Sequence, residues 1–126
     1  MNEMKKTDLS ALSLTDLVDR FVTLGLLQDD ALLADDTKRY TRFYHQIAAI
    51  DAELRSRGPA ARLALAPLFS HANWQVRLNA ANKLLGLIPQ EARPVFDEIR
   101  KSRISPYCLD AGMILSGLDD GSYKPT

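Results

Sequence analysis

Two histidines and one cysteine are the side chains of this sequence best suited to metal binding or nucleophilic catalysis. Neither His45 nor His71 has a histidine, cysteine or glutamate three or four residues further along, where a second ligand would share its helix face. We interpret His45 as a residue beside an apolar helix stripe, and His71 as a turn residue bonded to the backbone. Cys108 falls in an expected first helical turn, where a thiol can be activated. With no histidine near it in sequence, it is better explained as a small apolar residue.

Neither the acidic pairs nor the glycine pattern of the sequence indicates a metal-binding or phosphate-binding site. Asp29-Asp30 and Asp35-Asp36 lack the alternating spacing and the glycine of a calcium-binding loop, and helix ends or caps explain them more simply. The sequence has no glycine-rich phosphate loop and no Gly-x-Ser-x-Gly elbow. We therefore predict no catalytic residues, no metal site and no cofactor, and a protein that is not an enzyme.

A polar helix face is the remaining candidate for function. Asn79, Asn82 and Lys83 are spaced so that they share one face of a predicted helix. Two asparagines in mid-helix lower the helix propensity, a cost that contact with a partner would explain. The alternative is solvated side chains or hydrogen bonds between helices. The candidate partner-binding residues are polar residues of three helices: Arg39, Arg42, Gln46, Asn79, Asn82, Lys83 and Asp110.

The charge is unevenly distributed although the net charge is zero. Residues 55–103 carry 9 basic and 3 acidic side chains, whereas residues 1–54 carry 6 and 10. A basic middle segment is typical of a nucleic-acid-binding surface. Alternatively, arginine and lysine side chains cover the outer faces of packed helices.

Length and composition indicate one cytoplasmic domain. A chain of 126 residues can bury its own core. No apolar run reaches the roughly 18 residues of a transmembrane helix, and the first residues lack the apolar stretch of a secretory signal. The single cysteine cannot form an internal disulfide. We therefore expect a cytoplasmic protein without a membrane partner.

Hydrophobic periodicity predicts six helices and no strand. The first begins at its N-cap Ser13 and runs to about Leu33, weakened near Gly25. A cap within residues 35–37 starts the second helix, which ends at Gly58. The apolar stripe of the second helix consists of Tyr40, Phe43, Tyr44, Ile47, Ile50 and Leu54.

Four shorter helices are predicted in the second half of the chain. The third covers about 59–69 and is bent by Pro67, and the fourth begins at its cap Asn73 and ends near Gly86 or Pro89. The fifth helix is predicted over about residues 90–102. The sixth is predicted to begin with Ser105 as its N-cap and Pro106 at its first position, and to end at Gly117. Their inward residues are predicted to be Val95, Phe96, Ile99, Leu109, Met113 and Ile114.

The last four helices look like two copies of one unit. A helix–turn–helix unit cannot bury its apolar face alone, so copies stack and share a core, here behind an irregular leading pair. A shift of 31 residues aligns Leu65 with Phe96, Leu68 with Ile99, Ala80 with Ala111, Leu84 with Leu115, and Gly86 with Gly117.

The stretch from Leu68 to Arg77, followed by Ala80-Ala81, Leu84 and Gly86, resembles the HEAT-repeat pattern. The resemblance implies an all-α fold: a right-handed stack of about six antiparallel helices in three HEAT-like hairpins, a short α-solenoid. HEAT repeats often pair an aspartate in the turn with the arginine. In this sequence His71 stands in the place of that aspartate, and Cys108 replaces the arginine in the last unit.

The whole chain also resembles a family of small bacterial proteins classed as a domain of unknown function. The resemblance rests on five blocks: residues 16–21, 53–54, 71–81, 110–113 and 121–126. It implies one HEAT-like domain over residues 1–126, with a flexible N-terminus (1–12) and a tail (119–126).

These observations favour a non-enzymatic protein–protein interaction module with an unknown protein partner. By analogy with the fold, it is an immunity-type or regulatory binder. The alternative is a HEAT-like protein that binds nucleic acid through residues 55–103. Self-association is a further alternative, because the ends of a helical stack leave an uncovered face.

Overall fold

The computed structural model describes residues 8–126, and these form a stack of six helices. The predicted all-α class is confirmed, and residues 8–126 contain no strand. The helices are α1 (Leu14–Leu33), α2 (Thr37–Arg57), α3 (Pro59–Arg62, continued by a 3-10 helix, Leu63–Ser70), α4 (Trp74–Leu84), α5 (Pro89–Ser102) and α6 (Tyr107–Asp120). Residues 1–7 of the expected flexible N-terminus lie outside the described residues. Leu9 and Leu12, from the same expected segment, pack against the core.

Local capping chemistry fixes the starts of three helices as predicted. The side chains of Ser13, Asp36 and Asn73 accept hydrogen bonds from the backbone N–H groups three residues on, at 3.0, 3.1 and 3.0 Å. Gly58, with φ of +106°, ends α2, and Pro59 follows at the first position of α3.

The boundaries of α6 differ from the prediction at both ends. Pro106, not Ser105, occupies the N-cap position, and no side chain caps the helix. Gly117 does not stop α6, which continues to Asp120 and ends at Gly121 with φ of +78°. Gly117 is buried within α6, where a β-carbon would lie 3.0 Å from the Tyr123 β-carbon. This glycine therefore serves a close contact between segments and not a turn.

Two residues expected to pack inward from α6 are exposed. Leu109 and Met113 are 62% and 74% exposed, because no other helix covers the outer face of α6. Ala111 and Leu115, on the opposite face, are buried against α5. Only Ile114 of the three α6 residues predicted to face inward packs against the core.

The structure differs from the prediction in two further features of helix continuity. The bend predicted at Pro67 takes the form of a change in helix type, since the chain winds as a 3-10 helix over Leu63–Ser70. Helix α1 is not interrupted at Gly25, which is buried with a β-carbon position 3.0 Å from Val76 Cγ2. The missing side chain lets α4 approach α1 closely.

The helices pack as three sequential pairs with α4 in the middle. α1 packs on α2, the 3-10 helix packs on α4, and α5 packs on α6. α4 contributes Ala80 and Leu84 to one apolar cluster, and Leu78, Ala81 and Leu85 to the other. Of the five pairs aligned by the 31-residue shift, three are buried at both positions: Leu65 and Phe96, Ala80 and Ala111, and Leu84 and Leu115. The other two pairs differ, since Leu68 and Gly86 are more exposed than Ile99 and Gly117.

The principal contact of α4 with the leading pair is to α1 and not to α2. Because α4 is drawn toward α1 at Gly25, space remains between the facing side chains of α2 and α4. This space becomes the cleft described below.

The last residues fold back over the stack. Asp119 and Asp120, expected in the tail, belong to α6, and residues 121–126 pack against α2 and α4. Arg55 Nη1 donates to Thr126 Oγ1 (2.9 Å), and Arg62 Nη1 donates to the Thr126 carbonyl oxygen (3.3 Å).

Among residues 8–126, no helix combines the length and the apolar character needed to cross a membrane.

Candidate binding cleft

A half-open cleft of about 260 Å³ lies between α2, α4 and α6, with α1 at its base. Each helix supplies side chains from one face, so the cleft mixes aromatic, amide, charged and apolar groups. Its lining consists of Gln28, Tyr40, Tyr44, Ile47, Gln75, Leu78, Asn79, Asn82, Lys83, Asp110, Met113 and Ile114.

The structure brings together four of the seven predicted binding residues. Asn79, Asn82 and Lys83 from α4 and Asp110 from α6 all line the cleft. The other three predicted residues, on α2, do not line the cleft. The guanidinium groups of Arg39 and Arg42 lie over the Phe43 ring, 5.8 and 5.2 Å from its centre, and Gln46 is exposed.

The α2 residues that do line the cleft were assigned to the core by the sequence. Tyr40, Tyr44 and Ile47 belong to the apolar stripe of α2, but Tyr44 is 51% exposed. Tyrosine in an apolar stripe was the available signal, since its hydroxyl needs a polar or wet end. Gln28 and Gln75, both 2% exposed, were also missed, and no sequence pattern distinguished them.

Three amide side chains form a hydrogen-bonded chain along the cleft wall. Gln75 Nε2 donates to Asn79 Oδ1 at 2.9 Å, and Asn79 Nδ2 donates to Gln28 Oε1 at 2.8 Å. Gln75 Oε1 is buried without a hydrogen-bond partner in the described part of the chain. One N–H group of Gln75 and one of Asn79 are therefore used within the amide chain, and one acceptor, Gln75 Oε1, is left over. Asn79, predicted to contact either a partner or other helices, does bond to α1.

The cleft holds one carboxylate and one ammonium group. Burial raises the pKa of Asp110. Lys83 Nζ lies 5.9 Å from the centre of the Tyr44 ring, within the range of a cation–π contact. Burial, and next the negative charge of Asp110, raise the pKa of Tyr40. The tyrosine therefore stays a neutral hydroxyl at physiological pH.

The two histidines and the cysteine do not line the cleft. Residues 8–126 contain no cluster of three or more His, Cys, Asp or Glu side chains that could hold a metal ion. His71 Nδ1 accepts a hydrogen bond from the Asn73 backbone N–H at 3.0 Å, as its interpretation as a turn residue predicted. His45 is exposed, and Cys108 is partly buried in the first turn of α6.

A buried carboxylate beside the cleft joins three helices. Asp29 of α1 accepts hydrogen bonds from the Tyr107 hydroxyl of α6 and from Asn73 Nδ2 at the start of α4 (3.1 Å). Asp29 is 9% exposed and Tyr107 is 6% exposed. This network fixes the relative positions of the helices whose side chains line the cleft.

Arg77 has partners other than a turn aspartate. Its Nε donates to the Phe69 carbonyl oxygen at 2.9 Å, its Nη2 pairs with Glu98, and its guanidinium lies 4.9 Å from the Trp74 ring centre. The polar partners of Arg77 are thus the Phe69 carbonyl oxygen and Glu98, and not the side chain of residue 71.

Comparison with known proteins places the chain in a family. A family model described as "Domain of unknown function (DUF2019)" matches residues 15–119. The chain belongs to this DUF2019 family. A crystal structure similar to this DUF2019 protein is that of the protein RPA1889 from Rhodopseudomonas palustris CGA009, at 41% sequence identity and a TM-score of 0.92. The similarity covers 96% of this chain and 100% of that one. A search of curated proteins gave no match.

Proposed function

We propose that this DUF2019 protein is a non-enzymatic protein-binding module that receives a segment of its partner in the cleft. The observation that carries the proposal is the convergence of α2, α4 and α6 on one half-open cleft with aromatic, amide and charged linings. Tyrosine and methionine are enriched at protein interfaces, and binding energy concentrates in pockets of this kind.

Uncovered apolar side chains next to the cleft support the same proposal. Met113 lines the cleft and Leu109 lies one helical turn before it, on the exposed face of α6. An apolar rim next to a polar cleft gives a partner both burial and orientation. We interpret the three helical pairs as HEAT-like and the protein as a cytoplasmic, immunity-type or regulatory binder, the latter by analogy with the fold alone.

Charge pairing favours this proposal over nucleic-acid binding. Of the nine basic residues in 55–103, five form ion pairs, and three of those pairs use acids from outside the segment. The pairs are Arg55 with Asp51, Arg57 with Glu53, Arg77 with Glu98, Arg93 with Asp119, and Arg100 with Asp97. Arg62 is buried and donates to the carbonyl oxygens of Lys83 and Thr126. Much of the basic charge is therefore already neutralised.

A pull-down experiment that compares the wild type with the variants Met113→Arg and Leu33→Arg tests the proposal. Met113→Arg places a bulky charge at the cleft, whereas the control Leu33→Arg changes a similarly exposed residue (71%) that does not line it. The proposal expects a protein captured by the wild type and by Leu33→Arg but lost with Met113→Arg. Equal capture by all three, or no specific capture, contradicts it.

Nucleic-acid binding is tested separately by fluorescence anisotropy with labelled duplex and single strands at low salt. Phosphate-driven binding would weaken steeply as salt is added. Salt-sensitive binding that persists in Met113→Arg would replace the proposed function by the nucleic-acid alternative.

A further inference from the structure

Asp110 is a carboxylate that lines the cleft without forming a salt bridge. None of the ion pairs among residues 8–126 involves Asp110, and it is the one acidic residue among the lining side chains. Its carboxylate is thus partly removed from water without a salt bridge, and burial raises its pKa. A cation bound beside Asp110 would compensate for the hydration that its carboxylate loses in the cleft.

The amide chain favours a ligand that donates hydrogen bonds over a ligand that accepts them. Gln75 lines the cleft and is 2% exposed, and its Oε1 has no partner within residues 8–126. A buried oxygen of this kind is normally hydrogen-bonded. One N–H group of Gln75 and one of Asn79 are used along the amide chain, whereas Gln75 Oε1 is left to accept, so the wall offers an acceptor to a ligand that brings N–H groups.

Two tyrosine rings complete a site for a flat cation. Tyr40 and Tyr44 line the α2 side of the cleft, and the negative charge of Asp110 contributes to the raised pKa of Tyr40. The Tyr44 ring already has the Lys83 ammonium 5.9 Å from its centre. Aromatic faces attract cations, and a guanidinium also stacks on them.

We infer that the cleft binds an arginine side chain of the partner protein, with its guanidinium between Asp110 and the tyrosine rings. Arginine fits better than lysine because its planar fork of five donors can engage a carboxylate and an amide oxygen together. The inference deepens the proposed function and rests on it. Lys83, the one basic residue lining the cleft, opposes the incoming charge.

The test uses blocked amino acids as probes and two-dimensional NMR of the full chain. N-acetylarginine methylamide is titrated against the isotope-labelled protein, with the uncharged N-acetylnorleucine methylamide as the control probe. The expected result is a set of saturating shifts confined to the side-chain amides of Gln28, Gln75 and Asn79 and the backbone of Asp110. Binding should be weak, as expected for so few ligand atoms.

Charge variants decide whether the recognition is the one inferred. Asp110→Asn should weaken arginine binding about tenfold, and Lys83→Gln should strengthen it about two- to threefold. Asp30→Asn, which removes an exposed carboxylate outside the cleft, should leave binding unchanged. Similar shifts with norleucine, no shifts at the cleft, or equal affinity in Asp110→Asn overturn the inference. In any of those cases, partner capture that is still lost in Met113→Arg leaves the proposed function standing.

Discussion

Gly86 lies against the backbone of Thr126, so closely that a β-carbon at position 86 would be 2.7 Å from the Thr126 nitrogen. The C-terminal segment, residues 121–126, is held by this contact and by the hydrogen bonds from Arg55 and Arg62. Tyr123 adds a bond from its hydroxyl to Asn82 Oδ1 at 3.4 Å. The segment therefore forms part of the surface next to the cleft.

Gly86→Ala should displace the C-terminal segment and destabilise the protein. The new methyl group meets backbone atoms of Thr126 and not the end of a flexible side chain. Overpacking of this kind costs roughly 1–3 kcal/mol, which urea denaturation would measure. The matched control is Gly112→Ala, where the nearest atom is Arg100 Cδ at 3.9 Å. There the gain in helix propensity should stabilise the protein by up to about 1 kcal/mol. Equal effects of the two substitutions would contradict the contact.

Asp29→Ala should be among the most destabilising single changes. It leaves the Tyr107 hydroxyl and Asn73 Nδ2 without their acceptor at a buried site. We expect a loss of about 2–4 kcal/mol in urea denaturation. Asp30→Ala removes an exposed neighbouring carboxylate and should cost less than about 0.5 kcal/mol. A loss at Asp29 no larger than at Asp30 would show that the network contributes little.

Tyr107→Phe should change the alkaline limit of stability. Burial, and then the hydrogen bond to Asp29, raise the pKa of Tyr107 above that of the unfolded chain. Its contribution is therefore full below about pH 10 and is lost as the pH rises further, because only the unfolded state then ionises freely. The variant should be less stable than the wild type at neutral pH, and the difference should shrink above pH 10 in thermal melts. Tyr40 and Tyr123, whose pKa values are also raised, are present in both proteins. A difference that stays constant up to high pH would argue against this ionisation linkage.

Arg77→Lys should destabilise the protein although it keeps the charge. A lysine cannot donate to the Phe69 carbonyl oxygen and to Glu98 together while lying flat over Trp74. We expect a loss of about 1–3 kcal/mol and a change in Trp74 fluorescence. Arg93→Lys alters an exposed pair with Asp119 and should cost less than about 1 kcal/mol. Retention of full stability by Arg77→Lys would mean that charge alone matters at position 77.

Asp110→Asn should stabilise the protein at neutral pH. Because burial raises the pKa of Asp110 in the folded state, the carboxyl destabilises the fold as the pH rises above its unfolded-state pKa, and this effect is complete above the folded-state pKa. Tyr40 and Tyr44 from α2 and Lys83 from α4 are the other titratable groups lining the cleft. The urea midpoint of the variant should exceed that of the wild type at pH 7, and the gain should vanish below about pH 4, where the unfolded carboxyl is also protonated. A lower midpoint at pH 7 would mean that Asp110 has a stabilising partner.

Sequence reasoning succeeded where the cause of a feature is local. The caps at Ser13, Asp36 and Asn73 and the break at Gly58 depend on a few neighbouring residues, and the structure has them as predicted. Gly117 was wrongly assigned as a helix stop because its role is set by Tyr123, which packs on it from the C-terminal segment. A glycine that ends a helix and a glycine that admits another segment look alike in sequence.

Only part of the candidate site was predicted from the sequence, and the reason is related. Periodicity identifies the apolar face of a helix, but not whether a neighbouring helix covers it. Tyr40 and Tyr44 were therefore placed in the core, and Leu109 and Met113 were expected to pack, although all but Tyr40 are at least half exposed. Asn79, Asn82 and Lys83 were singled out because their spacing places them on one face of α4 and because two asparagines in mid-helix lower its propensity, and all three line the cleft.

The contact of α4 with α1 has a consequence for how the chain unfolds. In a linear array of repeats each unit touches only its neighbours, so units can melt one after another from an end. Here Asn79 bonds to Gln28, Tyr107 bonds to Asp29, and Arg55 bonds to Thr126, linking the first helical pair directly to α4, α6 and the C-terminal segment. Loss of either end therefore removes contacts from the other. The six helices should melt in a single cooperative transition, and a hairpin cut from the stack should not fold on its own.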